Sequence, residues 1–437
     1  MIYTFLLSLL HLLVDGICAC GLMLMSRQIV SDTEAYGMIV LYDVLAFGTQ
    51  PLTGRWIDRG TARQHGMKPA AALLVGGAMI STLHISPTNY MVATGAVLLG
   101  MGNSFFHVYG GRYVALTSHY DIRAMGVFVS TGAVGLAIGL NFSSLMLLAV
   151  FLFAFLVLVF LHLHYDDKLQ HIPAPPNTYH PTPNQTSVPI LYLCCLMLVV
   201  AGRACIGEAV PSLHINLLSI SAPMLMVVVS LIVMVGKAAG GFLSKRWGVR
   251  NVLIYSMLLS ATAFLMCPWH NGFVLITLFL MNLSMPCTLY LATKAVPGRE
   301  GWTFGLLAMS LLPGYLLGYL SKDNATCQAL LVPLMATIVL ESLLLLYLRE
   351  RRWQVLATSV VLNIFTNVPL NAFIMSCRVT SPFILVGLEC VVVMVEFFGF
   401  WLVLQNRFKA FKCSFLCNSF SVLVGCLCQL LLSLISW

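Results

Sequence analysis

Apolar runs of about 20 residues, each long enough to cross a bilayer as a helix, recur from one end of the chain to the other. They predict six spans near 2–25, 35–57, 69–86, 90–114, 124–141 and 144–164, and six more near 188–213, 222–243, 250–268, 273–295, 302–320 and 327–348. Between the two sets lies YDDKLQHIPAPPNTYHPTPNQT, whose proline and polar content reads as a solvated linker over 165–187. After the basic cluster Arg349, Arg351 and Arg352 come three further spans near 353–375, 381–405 and 413–436. The pattern therefore predicts a bundle over 1–164, a linker over 165–187, a second bundle over 188–350 and a three-helix extension over 351–437.

Composition agrees. The chain is 59% hydrophobic and 9% charged, against roughly 25% charged residues in a soluble domain. Barrel strands would alternate apolar and polar residues, and these runs do not. The fold class is an all-α polytopic membrane protein. Its net charge of +8 follows topology and is no sign of nucleic-acid binding. Most Lys and Arg fall in alternate loops, which places the N-terminus in the cytoplasm and, with three added spans, the C-terminus outside. The first span has no basic flank and carries Asp15, so it reads as a retained helix in the cell (inner) membrane. The 14 cysteines show no C-x-x-C pair, and no disulfide framework or metal site is expected. His162, His164, His171 and His180 near the linker lack a ligand spacing, and no cofactor is expected.

A charge at the bilayer centre costs about 2.5–3.5 kcal/mol on insertion scales, so ionisable residues in such spans face a polar pathway or a partner. Asp15, Asp43, Arg203, Glu208 and Lys237 are of this kind. Asp15 is the candidate for binding and releasing a proton; its alternative is a fixed ion pair. Asp43 reads as a gate or a structural hydrogen bond. Arg203 and Glu208, five residues apart, do not share a helix face and need not pair. Lys237 is a possible neutralising partner for Asp15. His107 stands four residues after Asn103, on the same helix face, and suits substrate binding or proton relay. In the extension, Asn363, Asn367, Asn371, Glu389 and Glu396 form an accessory polar face that the three helices are expected to satisfy among themselves.

The two sixes carry a weak internal repeat. GRWIDR at 54–59 follows the second span and GFLSKR at 241–246 the eighth. At these turns the chain resembles the major facilitator superfamily of secondary transporters, whose loop reads roughly Gly-x-Leu-Ala-Asp-Arg-x-Gly-Arg. Gly54, Asp58 and Arg59 match it, with Trp56 in place of Leu. In the second half Gly241, Leu243, Ser244, Arg246, Gly248 and Arg250 match, with Lys245 in place of Asp. The fifth span, with Gly132, Gly135 and Gly139, resembles the glycine-rich helix of the family's antiporters but lacks its proline. HLLVDG and GNSFFHVYGGR resemble fosmidomycin-resistance-type members.

The resemblance covers about 1–350 and implies two six-helix bundles. It also implies alternating access for a small-molecule substrate, coupling to protons, export as the favoured direction, a monomer, and a conformational switch at Gly54, Asp58, Arg59, Gly241 and Arg246. A sensor or scaffold that keeps the transporter fold is the alternative. A membrane enzyme is disfavoured, since no H-E-x-x-H, G-x-S-x-G or phosphate-binding loop occurs. Cysteine labelling from each side of the membrane should find the linker near Pro175 cytoplasmic and Trp437 outside; labelling of position 437 only from the cytoplasm would remove the fifteen-span reading.

Overall fold

A computed structural model describes residues 2–29, 31–59, 66–83, 89–169, 190–214, 221–266, 270 and 272–321, with isolated positions 392, 394 and 397. The twelfth span, most of the linker and the three-span extension, with Asn363, Asn367, Asn371, Glu389 and Glu396, lie outside the described residues.

Among the described residues the chain is helical and without strands. In order the helices are α1 (Ile2–Ser26), α2 (Asp32–Asp43), a π-helical turn (Val44–Gly48), α3 (Gln50–Ile57), α4 (Met67–Ser81), α5 (Asn89–Thr117), α6 (Ile122–Ser130) and α7 (Gly132–Asn141). They continue as α8 (Leu145–Leu169), α9 (Ile190–His214), α10 (Ala222–Trp247), α11 (Val249–Leu265), α12 (Gly272–Asn282), α13 (Met285–Ala295), α14 (Glu300–Met309) and α15 (Leu311–Ser321). Among the described residues seven stretches are long and apolar enough to cross a membrane, including Ile2–Ser26, Tyr90–Thr117, Ile122–Asn141 and Ala222–Trp247.

Local sequence sets the helix ends. Asp121 caps α6 by accepting the backbone N–H of Arg123 at 3.0 Å, and the Arg123 guanidinium holds its carboxyl below the usual carboxylate value. Such a cap is worth about 1 kcal/mol. Pro51 and Pro223 sit in the first turns of α3 and α10, where a missing N–H costs nothing. Gly248, at φ +90°, stops α10 with its N–H on Ser244 O at 3.0 Å. Three predicted spans are each two helices, broken at Thr131, at Leu283 and Ser284, and at Ser310, while the second span is interrupted by the π-turn.

The described helices fall into two compact units. One holds α1–α8, α10, α11 as far as Phe264, and α12–α14; the other holds α9 and Gly314–Ser321. In the first, α1 is the core element: Leu7, Leu10, Val14 and Ile17 are fully buried. It packs along α7, α8 and α5, while α10 packs against α6 and α7, and α3 against α14. Two glycines let α7 lie directly on α1. A Cβ at Gly135 would run into the Leu12 carbonyl, and one at Gly139 would meet Gly16 O at 2.6 Å and Ala19 Cβ at 2.8 Å. By contrast α8 turns Phe153 and Phe160 outward, as a lipid-facing helix does. In the second unit Arg203 is buried, and a Cβ at Gly318 would meet the side chain of Glu208.

Gly135→Val should therefore prevent recovery of monodisperse protein in detergent, because backbone must move to admit the side chain. Gly37→Ala, with nothing within 4 Å of the added Cβ, should leave the elution profile unchanged.

Candidate functional site

One turn of α1 puts His11 and Asp15 on the same face, four residues apart. One turn of α5 does the same for Asn103 and His107. The two faces meet. His11 Nε2 lies 3.3 Å from Asp15 Oδ2, His107 Nε2 lies 3.4 Å from Asp15 Oδ1, and the two Nε2 atoms are 2.8 Å apart. Asn103 donates its Nδ2–H to Asp15 Oδ1 at 3.2 Å. Phe128 and Phe106 flank the His11 ring at centroid distances of 5.1 and 6.1 Å. Gly132 on α7 closes the third side, where a Cβ would collide with both Asp15 Oδ2 and His11 Nε2. The absent side chain is what leaves room for the cluster.

The partners on the far side of each ring settle which nitrogen faces inward. His11 Nδ1 is 2.8 Å from Phe128 O, and His107 Nδ1 is 3.0 Å from Asn103 O. A carbonyl only accepts, so both Nδ1 atoms carry hydrogen. A neutral ring then has a bare lone pair at Nε2. Two lone pairs 2.8 Å apart, beside a carboxylate, repel one another unless a positive charge lies among them. The cluster is thus built to hold a cation, a proton being the smallest. Lys237 on α10 acts electrostatically on both Asp15 and His107.

A second polar assembly joins the ends of α3 and α14. Asp58 Oδ1 accepts Arg112 Nε–H at 3.0 Å and the N–H of Gly301 at 3.0 Å, and Oδ2 accepts the N–H of Trp302 at 2.8 Å. These are the free amides of a helix N-terminus, where a carboxylate is favoured. Burial pushes the Asp58 carboxyl above its usual value, and the Trp302 and Gly301 amides and Arg112 pull it the other way. Gly54 and Gly301 permit the approach, since a Cβ on Gly54 would strike the Gly301 backbone. Beside this contact, buried Glu300 accepts Tyr120 O–H at 2.5 Å and Gly298 N–H at 2.7 Å. Tyr120 and its neighbour His119 hold positive φ angles of 57° and 53° to make that reach. The phenol is pushed upward, first by burial and then by the Glu300 bond.

The structure thus brings Asp15, Asn103 and His107 together with His11, which the sequence reading did not single out. Asp43 ends α2 half-buried, with no side-chain hydrogen bond or ion pair among the described residues. Arg203 and Glu208 belong to the other unit. Asp58 pairs with Arg112, while Arg59 and Arg246 are exposed. Gly241 is a packing position, where an added Cβ would meet Ile122 O at 2.7 Å and Arg123 Cα at 3.1 Å. His162 lies within α8, buried, with Tyr109 Oη 2.9 Å from its Nε2. His11, Arg112 and Glu300 each left a trace in the sequence: an imidazole one turn before Asp15, an arginine closing GNSFFHVYGGR, and an acid opening a helix at GREGW.

A profile described as Major Facilitator Superfamily matches residues 4–319. Among solved structures the chain is similar to the Escherichia coli fucose:proton symporter FucP, at 13% identity and a TM-score of 0.58, over 80% of this chain and 98% of that one. It is also similar to a bacterial homologue of the iron transporter ferroportin in an outward-facing state, at 14% identity and a TM-score of 0.55, over 79% and 97%. At these identities the likeness is one of fold. No curated protein sequence matches the chain.

A charge-assisted hydrogen bond is worth about 1.5–3 kcal/mol, and about 1.4 kcal/mol is tenfold in an equilibrium. Asp58→Asn should accordingly raise the open fraction at the α3–α14 ends about tenfold. Thiol labelling of Thr303→Cys, fully buried at this contact, should speed up by that factor in the double variant. An unchanged rate would show that the contact holds no equilibrium.

Proposed function

Because the chain belongs to the Major Facilitator Superfamily, and is therefore a secondary transporter and not an enzyme, we propose that it moves a small solute across the cell membrane by alternating access, coupled to protons, with export as its direction. The observation that carries the reading is the cation-demanding cluster of His11, Asp15 and His107, set among membrane-spanning helices. Polar groups at such depth are costly and mark ion or substrate paths.

The assembly at Asp58 supplies the second element a transporter needs. A contact made in one state and lost in the other biases an equilibrium between them. Asp58 engages the free amides at the start of α14, so it is made only while α3 and α14 are together. The site and the contact are at different places along α5, which carries His107 and Arg112 five residues apart. Closure at the α3–α14 ends then leaves the cluster to open toward the opposite face, taken as the outside from the distribution of basic residues. Export is the proposed direction because the glycine run at 132, 135 and 139 resembles that of the family's antiporters; its packing on α1 also brings the two helices together without side-chain interlock. An ion gradient is the proposed energy source because the sequence shows no nucleotide-binding motif, and protons are the proposed ion because the cluster sets two imidazoles beside a carboxylate. Among the similar structures, one is named a proton symporter and another a homologue of an iron transporter.

The test is flux. Purified protein in liposomes with a trapped pH dye should move protons when a transported solute is added, and a protonophore should abolish solute accumulation. Asp15→Asn should stop accumulation while eluting as folded protein. Accumulation that survives the protonophore would remove proton coupling, and full accumulation by Asp15→Asn would remove the cluster from the pathway.

A further inference from the structure

We infer that His11, Asp15 and His107 form a binding site for a divalent first-row transition-metal ion, and that ions of this class are a cargo of the pathway. The inference rests on the reading of this cluster as the transport site. It stands on four observations.

The first is the donor set. Two imidazole nitrogens and one carboxylate oxygen, from α1 and α5, lie within 4.8 Å of one another. Bonds of about 2.1 Å to one ion set ligand atoms about 3.0 Å apart at right angles and about 3.4 Å apart at tetrahedral angles. The observed separations are 2.8, 3.3 and 3.4 Å. The two nitrogen–oxygen separations run to different oxygens, His11 to Oδ2 and His107 to Oδ1. The carboxylate therefore either faces the ion with both oxygens or turns one toward it, while the two nitrogens open by a few tenths of an ångström.

The second is the shell behind the ligands. A metal-bound histidine characteristically donates its other ring N–H to a carbonyl or carboxylate, which fixes both tautomer and orientation. His11 does so to Phe128 O and His107 to Asn103 O. Asp15 is held in turn by the Asn103 amide. Each of the three ligands is thus oriented by a group that does not itself compete for the metal.

The third is the count. Three protein ligands leave a coordination position open, as in sites that exchange what they bind, whereas a structural ion is enclosed by four. The side chains of Asp15 and His107 retain 18% and 12% of their exposure, so the site is recessed without being sealed. Asn103 Oδ1, on the same amide whose Nδ2–H holds Asp15, is buried with no hydrogen-bond partner among the described residues.

The fourth is selectivity. One oxygen and two nitrogens are a poor match for calcium or magnesium, which take six or more oxygens, and a good one for zinc, iron, cobalt or nickel.

Cobalt(II) is the probe, because its visible absorption reports nitrogen and oxygen coordination directly. The full chain in detergent should bind one equivalent and develop ligand-field bands, with zinc competing and equal magnesium or calcium having no effect. His107→Gln and Asp15→Asn should lose the bands, and Asn103→Ala should weaken binding about 10–100-fold, as for other outer-shell partners. His164→Ala, exposed and stacked on Phe160, should bind as wild type. Wild-type protein that binds no cobalt, or binds it equally well without His107 and Asp15, overturns the inference whatever the variants' stability. Proteoliposomes carrying a trapped metal indicator separate the two readings. Cobalt movement that depends on His107 is the expected result. Cobalt bound at the cluster but never moved overturns the cargo assignment and leaves the metal site standing. Gradient-driven flux of another solute in protein that binds no cobalt leaves the transport reading standing and overturns the metal site alone.

Discussion

Placing a carboxylate among apolar helices is the constraint on which the rest of this structure turns. Asp15 sits on α1, flanked by Val14 and Ile17 at zero exposure. An isolated charge there would cost several kcal/mol, so the surroundings are arranged around it. Two imidazoles and an amide converge on its oxygens. The backbone carbonyls of Phe128 and Asn103 orient the rings, and Gly132 gives up its side chain to leave the space. The need to satisfy one carboxylate thereby fixes how α1, α5, α6 and α7 meet.

Much of the architecture is visible in the chain because membrane insertion is read from composition. A run such as LMLLAVFLFAFLVLVFLHLH has no soluble alternative, and α8 follows it over Leu145–Leu169. The breaks inside spans were not legible. Thr131, Ser284 and Ser310 interrupt helices within stretches apolar enough to read as single spans, with Pro286, in the first turn after Ser284, as a mark of a break. What changes is backbone hydrogen bonding, as where Val134 N–H turns to Thr131 O at 3.1 Å, and no side-chain periodicity encodes that. The interruption of the second span is similar, since VLAFG gives no sign of a wider π-turn.

The site divides along the same line. Asp15, Asn103 and His107 are conspicuous because polar residues are rare in such helices. That they meet depends on two helices far apart in sequence, and His11 becomes meaningful only once its ring is seen against His107. The Asp58 contact was still less accessible. Its acceptor role is served by amides of residues 301 and 302, more than 240 positions away, and an amide N–H is carried by nearly every residue. Sequence names a conspicuous acid but is silent on the backbone that receives it.

The paired left-handed residues at the end of α5 have a mechanical consequence. His119 and Tyr120 adopt a conformation that costs a side-chain-bearing residue about 1–2 kcal/mol, and the return is the phenol's grip on Glu300. The turn is held locally as well, with Tyr120 N–H on Ala115 O at 2.8 Å and His119 N–H on Leu116 O at 3.1 Å. The end of α5 therefore builds the turn by itself, and the phenol is presented to α14 from a fixed platform. A hydroxyl placed in advance loses little conformational freedom when it grips a partner, so this side of the contact is prepaid by the fold of α5.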